Sequence, residues 1–308
     1  MSQEEHDNKK VNSTQPENAG DVQPMEAEEQ TSEVQAEVEE GAENGTGEDL
    51  DVLDPRILER RKKEAGLEHI IDIQGLKKSF GKKEVLRNIN LQVKKGENLV
   101  VLGKSGTGKS VTLKCIVGML DPDKGSVKVF GDEVSRLNDE DLKILRERIG
   151  FLFQGGALYD SMTVEANMAF ALKRVLGIRD KEQIHKRTMA VLEGVGLQDA
   201  LKKMPADLSG GQKKRIALAR TLIVKPEIIL YDEPTTGLDT ITSKEISELI
   251  LTMQRKYNAT SIVVTHDMKC AEIVADRIVV MNEGEYVATG TYEELMNSED
   301  EFVRSFFP

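Results

Sequence analysis

The chain has 308 residues and a formal net charge of −12, yet that charge is not spread along it. Residues 1–54 hold 17 Asp and Glu against 2 Lys, a balance of −15, while the remainder holds 40 Lys and Arg against 37 Asp and Glu, a balance of +3, so the acidity says nothing about the larger part. No run approaches the roughly 18 apolar residues of a bilayer span, and the two cysteines, far apart and without His or Cys companions at metal spacing, exclude a disulfide scaffold or a zinc site.

Before residue 50 there is no aromatic residue and no apolar periodicity. Such a composition cannot bury enough apolar surface to offset the entropy of ordering, so residues 1–54 are expected to form a disordered, solvating tail, with docking to a basic partner as the alternative. The first residues include neither a basic n-region nor an apolar h-region, so no secretory leader is expected. A basic run from Arg56 to Lys63 reads as a surface helix or linker, spanning 55–69, before a folded region that begins near Ile70.

Ile70–Ile73 and Val85–Val93 read as strands, the second alternating apolar and polar over much of its length. Asn98–Leu102 reads as a buried strand and Val111–Val117 as a helix carrying Thr112. Between them, Gly103-Lys104-Ser105-Gly106-Thr107-Gly108-Lys109-Ser110 fits G-x-x-x-x-G-K-[ST] in full, a phosphate-binding loop. Its glycines let backbone N–H groups turn inward around a β-phosphate, and the helix N-terminus adds partial positive charge. Lys109 can reach the β- and γ-phosphates, and the Ser110 hydroxyl can ligate Mg²⁺. Ser126–Phe130 is a further strand of an early antiparallel portion, and Ile149–Phe153 is a strand that ends at Gln154.

From about Gly155 to Ala206 the pattern is helical, with one stripe of Val164, Met168, Ala171, Leu172 and Val175 and another of Ile184, Thr188, Val191, Leu192 and Val195, ended by Pro205. Leu208-Ser209-Gly210-Gly211-Gln212 then opens another helix: Ser209 is a plausible N-cap, and the paired glycines allow close backbone approach to a phosphate. Ile228–Glu233 is an apolar strand ending in two carboxylates, delivered to the carboxyl end where ligands bind in α/β sheets. Asp232 can hold Mg²⁺ through water, and Glu233 can orient an attacking water or accept its proton. Ser261–Thr265 leads to His266, and Ile278–Met281 is the last short apolar run; together these suggest a mostly parallel, buried sheet. Cys115 and Cys270 fall on separate predicted helices and are expected to be reduced core residues.

In this order and spacing the phosphate loop, the Leu208–Gln212 pentapeptide and the Ile228–Glu233 strand resemble the ATP-binding cassette (ABC) proteins over about residues 70–297. The resemblance implies an α/β fold of the P-loop NTPase, ABC ATPase type. A mostly parallel core sheet would carry an antiparallel β portion and a helical subdomain at about 155–206, with a C-terminal extension at 298–308. It implies ATP and Mg²⁺ as cofactors, with Gly103 to Ser110 and Thr112 around the nucleotide and Ser110, Gln154 and Asp232 on the metal. Glu233 becomes the catalytic carboxylate, His266 the switch histidine at the γ-phosphate, and Gln154 the Gln-loop residue that also senses the transporter. Phe80 stands where the family places an aromatic on adenine, although a core role explains it almost as well. Ser209, Gly210, Gly211 and Gln212 form the signature, and Asp239, in Gly237-Leu238-Asp239, lies on the loop that crosses a dimer interface. In this family each ATP is sandwiched between one chain's phosphate loop and the other's signature, so with a single cassette here the resemblance implies a homodimer. An integral-membrane permease, a place on the cytoplasmic face of the inner membrane, and no nucleic-acid partner complete what it implies.

The run Phe153-Gln154-Gly155-Gly156-Ala157-Leu158-Tyr159, with Thr235 to Ser243, is similar more narrowly to the ATPase subunits of Mla/MCE-type phospholipid transport systems, in which an MCE-type lipid-binding protein works with the permease. Another importer's ATPase is the alternative, and a soluble nucleotide-switched factor in translation or DNA repair is the third class. Because the tail's composition adds no packed element, a chain starting near Asp54 is expected to fold and keep its ATPase activity, as circular dichroism and phosphate release would show; loss of folding on that truncation would refute the tail's reading.

Overall fold

Two-residue connection at Gly81-Lys82 turns β1 (His69–Phe80) back into β2 (Lys83–Lys94), and β3 (Asn98–Gly103) then enters a second sheet. The computed structural model describes Ile57, Glu64 and residues 66–307; the acidic stretch 1–54, and the basic run 56–63 apart from Ile57, lie outside the described residues. After β3 come α1 (Lys109–Ile116), β4 (Lys124–Val129), β5 (Asp132–Glu133), α2 (Asp139–Glu147) and β6 (Ile149–Leu152). Two helices, α3 (Val164–Val175) and α4 (Lys181–Gly194), precede α5 (Gly210–Leu222), β7 (Ile228–Asp232), α6 (Thr240–Tyr257), β8 (Thr260–Thr265) and α7 (Met268–Val274). The described chain closes with β9 (Arg277–Asn282), β10 (Glu285–Gly290), α8 (Tyr292–Met296) and α9 (Glu301–Arg304).

The first sheet is antiparallel, in the order β2-β1-β4-β5; the second runs β10-β9-β3-β8-β7-β6, parallel throughout except for the antiparallel edge strand β10. Every residue of β3, β7 and β8 is buried, as their unbroken apolar runs require of strands covered on both faces. Alternate side chains go to opposite faces. Leu99, Val101, Leu230 and Val264 meet the antiparallel sheet and α1, whereas Val100, Leu102, Tyr231 and Val263 meet the helices α3 to α7. The helix after the phosphate loop is therefore held between two sheets. In the helical region Val164, Met168 and Leu172 form the buried face of α3, and Ile184, Thr188, Val191 and Leu192 that of α4. At the C-terminal end Val303 and Phe307 are buried against the helical side of the core, with the Phe307 ring edge-on to Tyr292.

Arg148, just after α2, joins the layers. Its guanidinium donates two hydrogen bonds to Glu64, at 2.8 and 2.6 Å, and two to Glu227, at 2.8 and 3.1 Å, while lying 3.6 Å over the Phe130 ring. Burial opposes its charge, but the two carboxylates more than compensate and hold the proton more tightly than usual. Arg148→Ala removes the buried guanidinium that both carboxylates bond and is expected to cost about 3–5 kcal/mol in denaturant unfolding. Arg148→Lys should recover only part of this, because an ammonium reproduces neither the paired hydrogen bonds nor the stacking.

Candidate functional site

Parallel pairing brings the carboxyl ends of four strands level: Leu102 sits beside Thr265, Asp232 beside Val264, and Leu152 beside Tyr231. The loop after β3, Glu233 after β7, His266 after β8 and Gln154 after β6 consequently leave the sheet on one edge, where side chains escape the buried interior.

The loop from Gly103 to Ser110 is shaped by glycine. Gly106 and Gly108 have φ of +81° and +113°, and a Cβ on Gly108 would lie 2.7 Å from Leu86 Cδ2 and 3.0 Å from the Val85 carbonyl oxygen. Only a residue without a side chain turns the backbone here, and a loop so shaped before the N-terminus of α1 can offer its N–H groups to a phosphate. Thr107 closes the loop through its hydroxyl, which donates to the Lys104 carbonyl at 2.9 Å; Lys104 and Ser105 are exposed. The Lys109 ammonium is 5% exposed; it donates to the carbonyl oxygens of Gly103 at 2.7 Å and Lys104 at 3.1 Å and pairs with Glu233 Oε1 at 3.2 Å. Thr112 is buried and its hydroxyl faces back toward the Gly108 carbonyl at 3.4 Å.

Ser110 Oγ donates to Asp232 Oδ1 at 2.6 Å, tying α1 to the end of β7. A serine hydroxyl beside one carboxylate is an all-oxygen pair, suited to Mg²⁺, which takes few protein ligands and keeps several waters. Glu233 follows in a left-handed conformation, φ +50°, fixed by its N–H bond to the Val264 carbonyl. This turn aims the carboxylate at Lys109 on one oxygen and, on the other, at His266 Nδ1 at 2.8 Å and the Thr236 hydroxyl at 3.2 Å. Gln154 is exposed at the end of β6, and its main-chain carbonyl accepts from Lys214. Phe80 ends β1 half-exposed, with the Lys78 ammonium 5.8 Å from its ring centroid.

The signature lies apart. Ser209 caps α5 by accepting from Gln212 N–H at 3.2 Å, and Gln212 returns the bond to Ser209 N–H at 3.0 Å, a reciprocal capping box. Ser209 to Gln212 line a recess with Gly237, Leu238 and Asp239 that holds no residue of the phosphate loop. Asp239 caps α6; the Thr242 hydroxyl and N–H, with the Ile241 N–H, hold its carboxyl below the usual carboxylate range. The structure thus assembles Gly103–Ser110, Asp232, Glu233 and His266 on one edge, with Gln154 at the end of the adjacent strand, and places Ser209–Gln212 with Asp239 elsewhere. Cys115 and Cys270 are free and buried, their thiols pushed up to about 11 and about 12 by burial. Among the described residues no helix is long and apolar enough to cross a membrane.

Three contributors escaped the sequence reading. Lys214 lies in line with buried Ala217, Leu218 and Thr221 at i+3, i+4 and i+7, so a cation on the apolar face of α5 was the signal. Asn167 is fully buried in the α3 stripe; its amide donates to the carbonyls of Tyr159, Met162 and Thr163 and accepts from Tyr159 N–H, fixing the segment after Gln154. Thr235, whose hydroxyl donates to Asp267 at 2.8 Å, braces the turns around Glu233 and His266 through a contact that left no linear trace.

Residues 86–236 match the family model described as ABC transporter. The chain is 39% identical over 236 residues to a probable ribonucleotide transport ATP-binding protein, Mkl, of Mycobacterium leprae, covering 77% of this chain and 68% of that protein. It is 42% identical over 217 residues to the methionine import ATP-binding protein MetN of Carboxydothermus hydrogenoformans, covering 70% of this chain and 64% of that one. It is 37% identical over 239 residues to the intermembrane phospholipid transport system ATP-binding protein MlaF of Haemophilus influenzae, covering 78% and 90%. Among solved structures, the ATP-binding cassette MJ0796, a dimer in a post-hydrolysis state bound to ADP and Pi, superposes with a TM-score of 0.65 at 32% identity, covering 72% of this chain and 98% of that one.

Proposed function

The chain belongs to the ABC transporter family as an ATP-hydrolysing subunit, and on that premise we propose that it energises phospholipid transport through an MCE-type permease complex. The hydrolytic mechanism rests on one observation, the Glu233 carboxylate held between Lys109 and His266. In the proposed site the phosphates of ATP lie in the Gly103–Ser110 cradle and Lys109 turns from Glu233 to the β- and γ-phosphates. Phe80 stacks on the adenine. Ser110, Asp232 and Gln154 would hold Mg²⁺, which when bound would supply charge neutralisation at the phosphates. Glu233 accepts the proton of the attacking water, and His266 fixes the carboxylate through its Nδ1 and contacts the γ-phosphate. Ser209 to Gln212 and Asp239 act across a dimer, on nucleotide held by a second copy. The arrangement of two incomplete halves in one chain supports this reading.

The lipid assignment draws on the Gly155-Gly156-Ala157-Leu158-Tyr159 run and on the match to MlaF, which extends over 90% of that protein. The 42% identity to MetN supports a second reading, amino-acid import, although that match covers 64% of its partner. In either case the subunit sits on the cytoplasmic face of the inner membrane, with the segment from Gly155 to about Val175 receiving a permease helix.

Glu233→Gln is expected to lower phosphate release by about 10²–10⁴, roughly 3–5.5 kcal/mol of barrier, while ATP binding persists and an ATP-bound dimer accumulates on size exclusion. Lys109→Ala should weaken nucleotide binding as well as turnover. Wild-type turnover by Glu233→Gln would mean that the carboxylate is wrongly assigned. Purification in mild detergent is expected to recover an MCE-type permease; recovery of an amino-acid permease instead would reject lipid transport and leave the ATPase intact.

A further inference from the structure

Two cations of the signature helix close on the main chain of the Gln loop. Lys214, in the second turn of α5, is 8% exposed, and its ammonium donates to the Gln154 carbonyl oxygen. Arg220, further along α5, donates to the carbonyl oxygens of Ala157 at 2.8 Å and Gly156 at 3.2 Å. The loop is shaped for this grip. Gly156 and Ala157 both have positive φ, +74° and +49°, and a Cβ on Gly156 would come within 3.1 Å of the Ala217 Cβ on α5. Burial pulls the Lys214 ammonium toward losing its proton, while the negative charges of Asp232 and Glu233 pull the other way. A buried ammonium bonded to a neutral carbonyl is a poor way to stabilise a fold, because burying charge is unfavourable unless it is fully compensated. The charge therefore points to the site.

We propose that Lys214 is a positioning residue for hydrolysis. By holding the Gln154 carbonyl it sets the Gln154 side chain relative to the Ser110–Asp232 pair, and it makes that setting follow α5. The first turn of α5 carries Ser209 to Gln212, which face the nucleotide of the opposing copy. A signature seated on one nucleotide thereby arranges the Gln loop at the other. Arg220 keeps the rest of the loop on the helix, so a change at Lys214 alters placement and not folding. The inference rests on the roles proposed above for Gln154 and the signature.

The test compares steady-state ATPase and thermal unfolding of the full-length wild type, Lys214→Met and Lys214→Arg. Lys214→Met is expected to lower kcat about ten- to a hundredfold, the scale of a small misplacement of a reacting group, with the KM for ATP within about threefold of wild type. Its unfolding midpoint should be equal or higher. Lys214→Arg should restore most of kcat, since a guanidinium still donates to the carbonyl. Wild-type kcat in Lys214→Met overturns the proposal. So does a loss of kcat that tracks a lowered midpoint and is not restored by Arg, which marks a structural lysine. Wild-type turnover, read at a protein concentration at which pairs dominate, is the control on hydrolysis itself: without it the ATPase reading falls and takes this inference with it, and with it only Lys214 is on trial.

Discussion

Burial of the core sheet on both faces is the constraint from which the rest of the molecule follows. With β3, β7 and β8 covered above and below, no polar side chain can leave them midway without losing its hydration, so the polar groups that matter are pushed to the strand ends. Each Val, Leu or Ile fully buried in this way contributes on the order of 1.5–3 kcal/mol, an upper figure when measured from an extended chain. Parallel register then puts the ends of β3, β6, β7 and β8 side by side. Four loops from distant parts of the sequence meet because the apolar interior leaves them one edge on which to do so.

The charges at that edge are arranged with the same economy. Lys109 and Glu233 are both nearly buried, a placement tolerable only because each finds several partners: two carbonyls and a carboxylate for the lysine, and an ammonium, an imidazole and a hydroxyl for the glutamate. On the proposed mechanism, phosphate entering the cradle would draw Lys109 from Glu233 and release one carboxylate oxygen. Binding and the freeing of a proton acceptor would then be one exchange of hydrogen bonds. Arg148 solves the same problem for the fold, with two carboxylates and an aromatic face around one guanidinium.

The sequence made the strands and the phosphate loop readable because each rests on a local rule: an unbroken apolar run, a glycine spacing, a cap before a helix. The α/β architecture, with a parallel sheet flanked by antiparallel strands, is as those rules implied. Edge strand β10 and helix α2 were not read, since β10 alternates weakly in a polar stretch and α2 is short and strongly charged. Contacts between residues far apart in the chain left still less trace. Glu64 with Arg148, Lys214 with Gln154, and Thr235 with Asp267 join positions separated by 84, 60 and 32 residues, and each needs the fold before it has meaning.

The distance between the signature recess and the phosphate loop carries a consequence for where the energy of ATP is spent. If the halves close across a dimer, as proposed, a lone subunit in dilute solution holds nucleotide without the groups needed to consume it, and the total rate of hydrolysis rises with the square of subunit concentration until pairs dominate. Two copies tethered side by side by a shared membrane partner face each other at an effective concentration on the order of millimolar. Surplus copies made in excess of that partner would then be quiet, and ATP would be drawn down only where there is cargo to move.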